Sequence, residues 1–245
     1  DLVKTLQQLP GVAVGTEGMT GLYVRGGGAD ENLYLLDGNP VYHVNHLLGF
    51  FSAFNPDAIK NTRFYKGSFP AEYGGRLASV VDVRMNDGNR QEYHGNISVG
   101  LLSARANLEG PIVKDRSSFN VSVRRTWLDL ITGTALAIIN KNSDTKESFG
   151  YHFFDINAKV NHSFSERSRA YLSFYMGQDA FRQGSKEKHE DSDDMFLWRW
   201  GNLIGSAGWN YVFGQKLFGN LMVGYSRFRS HIRQEAKGYE IEGNR

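Results

Sequence analysis

Leu22–Gly28 reads LYVRGGG: a short apolar strand that delivers one arginine, Arg25, into three consecutive glycines, Gly26, Gly27 and Gly28. A second strand follows at Asn32–Leu36 (NLYLL), then a tight turn at Asp37-Gly38-Asn39-Pro40. Asp-Gly between apolar runs is a hairpin signal, because the turn it favours needs positive φ at both central residues. It is expected to join NLYLL to VYHV (residues 41–44), with Asp37 as a turn former rather than a catalytic acid. The three glycines invite comparison with a phosphate loop. Such a loop needs a Lys-Ser/Thr pair opening a helix, and here Ala29-Asp30-Glu31 follows, two acids that would repel a phosphate. The glycines are therefore read as geometry: they reach positive φ and let another backbone or a wall come close.

On the N-terminal side, Asp1 caps a short helix with Leu2, Val3, Leu6 and Leu9 on its apolar face, ended by Pro10-Gly11. Val12–Thr20 is a glycine-rich connector. On the C-terminal side, His43 and His46 stand three apart. That spacing can suit a metal on a helix, but no matching carboxylate or thiol lies close by. Asn55-Pro56-Asp57-Ala58-Ile59 reads as a capped turn of helix, with proline at the first helical position. Phe64–Gly67 (FYKG) is a strand, and Pro70–Arg76 (PAEYGGR) holds Glu72, Gly74, Gly75 and Arg76. Ser79–Arg84 (SVVDVR) closes this unit, and Met85–Arg90 (MNDGNR) is a polar linker.

In that order and spacing, LYVRGGG, NLYLLDGNP, FNPDAI, FYKG, PAEYGGR and the strand Leu77–Arg84 resemble the plug domain of TonB-dependent outer-membrane receptors, in a Bacteroidetes-like version. DLVKTLQQLPGV resembles the opening helix of that plug, and the resemblance favours a plug loop at His43 and His46. It implies a mainly β fold: a small α+β plug (residues 1–90) inside a transmembrane antiparallel β-barrel (residues 91–245). About the first seven of about 22 strands would be present, so the sequence reads as the N-terminal part of a longer polypeptide. It also implies an ionic latch between plug and wall, since an unpaired charge in a dry interface costs several kcal/mol. Arg25, Glu72 and Arg76 are the candidates. The residues alone show only charges among glycines and aromatics, which solvated side chains would also explain.

Beyond Glu92 the texture changes. Ile97, Val99 and Leu101 alternate with Asn96, Ser98 and Gly100. The same period recurs through Ser118–Arg124, Asp155–Asn161, Tyr171–Tyr175 and Leu221–Tyr225. Small polar residues on one face and apolar ones on the other suit a barrel with lipid outside and a wet lumen inside. A soluble sandwich has the same period, with charge on its outer face. Strands are expected near 94–102, 104–112, 117–127, 150–163, 168–179, 197–213 and 217–231. Short turns fall at Gly110–Ser117, Phe164–Ser168 and Phe213–Lys216; long connectors fall at Leu128–Phe149, Ala180–Leu197 and from His231 onward. Trp127, Phe153, Phe154, Trp198, Trp200, Trp209 and Tyr211 cluster near strand ends, as interfacial girdles do. Leu130–Ile139 suits a short helix in an external loop. Lys186–Asp194 (KEKHEDSDD) is acidic, and such runs are more often solvated loops than metal sites.

Composition narrows the classes. Twenty-eight glycines, 13% aromatics and five prolines suit many strands with tight turns rather than helices. Absence of cysteine rules out disulfides and thiol chemistry, and a net charge of +2 gives no field for nucleic acid. No apolar run reaches about 18 residues, the length of a membrane-spanning helix. No signal peptide is visible at Asp1. No acids fall into a catalytic motif, so the reading is non-enzymatic, with no cofactor, catalytic residue or resident metal. The resemblance implies TonB-energised uptake of a nutrient ligand, gated by the plug. Its partners would be membrane lipid, a TonB-type energy transducer reached through a segment before Asp1, and a surface lipoprotein or other subunits. The alternatives are a receptor-like barrel serving as a structural subunit of an outer-membrane assembly or secretion complex, and a soluble β-rich binding domain.

Overall fold

The computed structural model describes residues 1–15, 20–187, 193–236 and 239–244. In its first third, α1 (Leu2–Leu6) is capped by the Asp1 carboxylate, which accepts from the Val3 amide at 3.0 Å. The strands β1 (Val12–Ala13) and β2 (Tyr23–Val24) pair over two residues. Strands β3 (Asn32–Leu36) and β4 (Asn39–Pro40) form the expected hairpin, with Asp37 at φ +46° and Gly38 at φ +84°. The hairpin's second arm is Asn39–Pro40, not VYHV: proline has no N–H to carry the ladder onward. Next come β5 (Asn45–His46), β6 (Phe51–Ser52), β7 (Ile59–Tyr65) and β8 (Ser79–Met85). The central sheet has the order β4-β3-β8-β7, with β3 and β8 parallel. Of FYKG, only Phe64 and Tyr65 are strand, the end of a longer one that starts at Ile59; Lys66 and Gly67 lie past it. A 3-10 turn at Pro56–Ala58 is capped by Asn55, whose side chain accepts from the Asp57 amide.

The remaining two thirds form one antiparallel sheet in sequence order: β9 (His94–Val99), β10 (Ser103–Val113), β11 (Ser117–Thr126), then helix α2 (Leu128–Ile139), β12 (Thr145–Ser165), β13 (Ser168–Glu187), β14 (Asp193–Val212), β15 (Phe218–Ala236) and β16 (Tyr239–Asn244). Among the described residues there are eight strands where alternation separates seven; the eighth is the short β16. The long connectors are shorter than expected, because β12 starts at Thr145, β13 runs to Glu187 and β14 resumes at Asp193. Residues 188–192 of the acidic loop lie outside the described residues.

The sheet is inside out relative to a soluble protein. Ser118, Asn120, Ser122, Arg124, Asp155, Asn157, Lys159 and Asn161 are buried, and the apolar residues between them face outward. Leu172 is 65% exposed, Val223 63% and Ile97 80%. So large an apolar face in water would drive aggregation, whereas lipid is its natural solvent. The plug packs against the polar face. Its core of Val3, Leu22, Tyr34, Leu36, Phe54, Val81, Val83 and Met85 extends to wall residues Tyr175 and Ile204.

Candidate functional site: the plug–wall latch

The β5–β6 hairpin carries the centre of the site. Its connecting 3-10 turn, Leu47–Gly49, pushes His46 into the wall. There the imidazole Nδ1 lies 2.6 Å from Asp179 Oδ2 and its Nε2 lies 2.8 Å from Asp155 Oδ1. Two acceptors require two donors, so this geometry holds a protonated imidazolium. Burial pulls the His46 pKa down, but the two carboxylates outweigh it and raise it to about 9. The ring stacks on Phe153 with centroids 4.2 Å apart. Arg124 completes the charge balance: its Nε donates to Asp155 at 2.7 Å, and its Nη2 donates to the Ser52 carbonyl at 2.7 Å. Tyr175 donates to Asp155 at 3.2 Å, and Tyr151 donates to Asp179 while its oxygen accepts from the Leu47 amide. Two acids and two cations, all buried, sum to zero.

A second cluster centres on Lys159 of β12. Lys159 Nζ sits 3.3 Å from Asp37, 3.1 Å from Asp87 and 3.1 Å from the Met85 carbonyl. Asp37 therefore does two jobs, turning the β3–β4 hairpin and meeting a buried wall cation. Asp87 is tied again by Asn161 and Lys60, and Ser118 donates to its carbonyl at 2.6 Å. Burial alone would raise the Asp87 pKa; Lys60 and Lys159 hold it below the usual carboxylate range.

Neutral contacts fill the gaps. Asn55 donates to Ser122 at 2.7 Å, Asn202 donates to the His43 carbonyl at 2.6 Å, and Asn39 donates to Ser206. Two glycines set the distance of approach. A Cβ on Gly224 would stand 1.5 Å from Asn39 Oδ1, and one on Gly88 would stand 2.1 Å from the Phe119 carbonyl oxygen. Between plug and wall, the void lined by Leu36, Phe54, Met85 and Tyr175 measures about 10 Å³, room for about one water. His43, with its pKa lowered by burial, lies against Trp200 and Phe228 above the latch.

The expected latch residues stand elsewhere. Arg25, Glu72 and Arg76 are exposed, and among the described residues no hydrogen bond or ion pair joins their side chains to the wall. The Arg76 guanidinium donates to the Gly75 carbonyl. Gly26 has φ +84° with open space about it, Gly27 packs against Ala78 of the plug, and Gly28 is bonded to Glu31. Gly74 and Gly75 have nothing within 4 Å of a built Cβ. Of the turn glycines, Gly38 is the one beside the wall, 2.5 Å from Met222 Sδ by the same construction. The bonds of Arg124, Asp155, Lys159 and Asp179 to the plug escaped sequence reading. Their signal was present, since each is a charge on the Ser/Asn face of an alternating strand.

An antiparallel sheet with an apolar outer face, and a separate domain bonded to its polar inner face, is the arrangement of a plug set against part of a barrel wall. Residues 1–81 match the family model described as TonB-dependent Receptor Plug Domain. The first third of the chain is thus a TonB-dependent receptor plug domain. No curated protein matches the chain in sequence. Among solved structures, a mutant of the ferric enterobactin receptor PfeA from Pseudomonas aeruginosa aligns at 16% identity and TM-score 0.50, covering 96% of this chain and 43% of that one. The siderophore receptor PirA from Acinetobacter baumannii aligns at 16% identity and TM-score 0.49, covering 95% of this chain and 46% of that one. The chain thus spans less than half the length of these receptors.

Proposed function

We propose that the chain serves energised import of a nutrient ligand, with residues 1–90 as the gate and residues 91–245 as part of the wall around it. The observation that carries this reading is the form of the attachment. Apart from the core contacts of Tyr175 and Ile204, the plug meets the wall through discrete ion pairs and hydrogen bonds, groups that water can solvate when the plug moves. A TonB-type transducer, engaged through sequence before Asp1, would supply the pull. The role assigned is transport, in keeping with the plug domain at residues 1–81. Arg25, Glu72 and Arg76 are assigned as a second anchoring set for wall outside this chain.

Conductance of the full-length protein in planar bilayers tests the gate. The intact receptor is expected to pass only small leakage currents, and a form lacking the plug to hold a steady open pore. Equal conductance of the two forms would refute gating and favour a structural subunit of a larger assembly.

A further inference from the structure

On the outer face of the wall, β13, β14 and β15 place a basic cluster at the upper edge of the apolar belt. The register sets Arg199 opposite His231, Gly201 opposite Arg229 and Leu203 opposite Arg227, and on the other side sets Gln178 opposite Gly201. All of these share the outward parity of Leu221 and Val223. Gly201 leaves a floor without a side chain, and around it opens a cavity of about 360 Å³ lined by Gln178, Arg199, Arg227, Arg229 and His231. His231 is occupied by Asn244 at 2.5 Å and Glu242 at 3.6 Å. Arg199, Arg227 and Arg229 meet no carboxylate within ion-pair distance among the described residues.

Height identifies the layer. Arg227 lies nine residues above Phe218 on β15 (227 − 218). At about 3.4 Å per residue and a tilt of about 40°, that is about 23 Å, close to the ~25 Å of an apolar barrel band. Arg229 and His231 stand higher by one and two further steps. Below them, Leu203, Met176 and Tyr225 continue the apolar surface. Unpaired guanidinium groups over hydrocarbon call for an anion at headgroup height with acyl chains beneath it, and arginine is suited to phosphate because it binds in two-point fashion.

We propose that this pocket binds a phosphate of the phosphorylated glycolipid of the outer leaflet, lipid A, with Arg227 and Arg229 as the main ligands, Arg199 and Gln178 at the sides, and the acyl chains along Leu203 and Met176. The site lies wholly on strands of this chain and does not depend on what the receptor imports.

The test is native mass spectrometry of the full-length receptor in detergent, titrated with bisphosphorylated lipid A, with the same lipid after enzymatic dephosphorylation, and with inorganic phosphate. One bisphosphorylated lipid A per barrel is expected, with about tenfold weaker retention of the dephosphorylated form. Arg227→Gln/Arg229→Gln is expected to weaken retention by about a hundredfold, and Arg227→Lys/Arg229→Lys by less. The wild-type comparison of the two lipids decides the matter even where a variant fails to fold. Equal retention of both lipids would overturn the proposal. So would inorganic phosphate binding as tightly as the lipid, which marks a free-anion site, or full retention by the folded double glutamine variant.

Discussion

Removing His46 is the sharpest test of how the plug is held. Its ring is 3% exposed and bridges Asp155 and Asp179. In His46→Ala, Asp155 keeps Arg124 and Tyr175, but Asp179 keeps only Tyr151 and the Leu47 amide. Taking one partner from a buried ion pair costs about 3–5 kcal/mol. The pKa gives an independent figure: a rise from 6.5 to about 9 corresponds to about 3 kcal/mol of binding of the charged ring. Together the figures imply that plug opening becomes about a hundredfold to several-thousandfold more frequent. Because the folded pKa lies above the free value, this stabilisation is complete below about pH 6.5 and is lost as pH rises through about 9. The assay is limited proteolysis of residues 1–85 in the full-length receptor, run from pH 6 to pH 10. Wild type is expected to lose protection at the alkaline end, and His46→Ala to be cleaved quickly throughout. His46→Leu combined with Asp179→Asn removes one charge of each sign and is expected to recover most of the protection, since an apolar replacement of an ion pair can be neutral. Equal protection of His46→Ala and wild type, together with a flat wild-type pH profile, would refute the reasoning.

Lys159→Met leaves Asp37 and Asp87 without their shared cation and is expected to loosen plug docking by about 3 kcal/mol, seen as faster proteolysis near residue 87. Gly224→Ala pushes a methyl into Asn39, which is tied to Ser206, and should lower the thermal midpoint by an amount equivalent to about 1–3 kcal/mol; Gly205→Ala, with open space about it, is the control and should not. Val223→Arg puts a charge on the lipid face and should cost about 2–4 kcal/mol in folding into vesicles. A wild-type yield of folded barrel from that variant would contradict the assignment of faces. Arg76→Ala in the full-length receptor is expected to weaken the plug's hold; unchanged protease resistance with unchanged leakage would remove Arg76 from any latch.

Local chemistry was legible wherever the chain settles matters with its own neighbours. The Asp37-Gly38 turn, the Asn55 cap before Pro56 and the alternation of β11 and β12 all follow from residues a few positions apart. The upper reaches of the strands were not legible. Thr145–Ser148, Lys186 and Asp194 carry polar groups on both faces, because water replaces lipid there; the ladder continues, but the contrast that reveals it is gone. The latch was hidden for a different reason. His46 and Asp179 are 133 residues apart, and their meeting depends on the register of three strands and the projection of a 3-10 turn. Arg25, Glu72 and Arg76 stood out by their glycine surroundings, whereas the wall-bound plug residues are a histidine in a polar loop and an aspartate already explained by its turn.

Three of the four tryptophans divide between two environments in a way that fluorescence can use. Trp198 and Trp200 stand 4.2 Å apart on the lumen side, and Trp200 is 3% exposed with His43 of the plug at its edge. Trp209 faces outward at the lower rim, bonded to Ser168. Brominated acyl chains would quench Trp209 and leave Trp200 bright, whereas departure of the plug would admit water to Trp200 and redden its emission. The protein therefore carries native reporters for membrane insertion and for plug position, readable in one sample without a label.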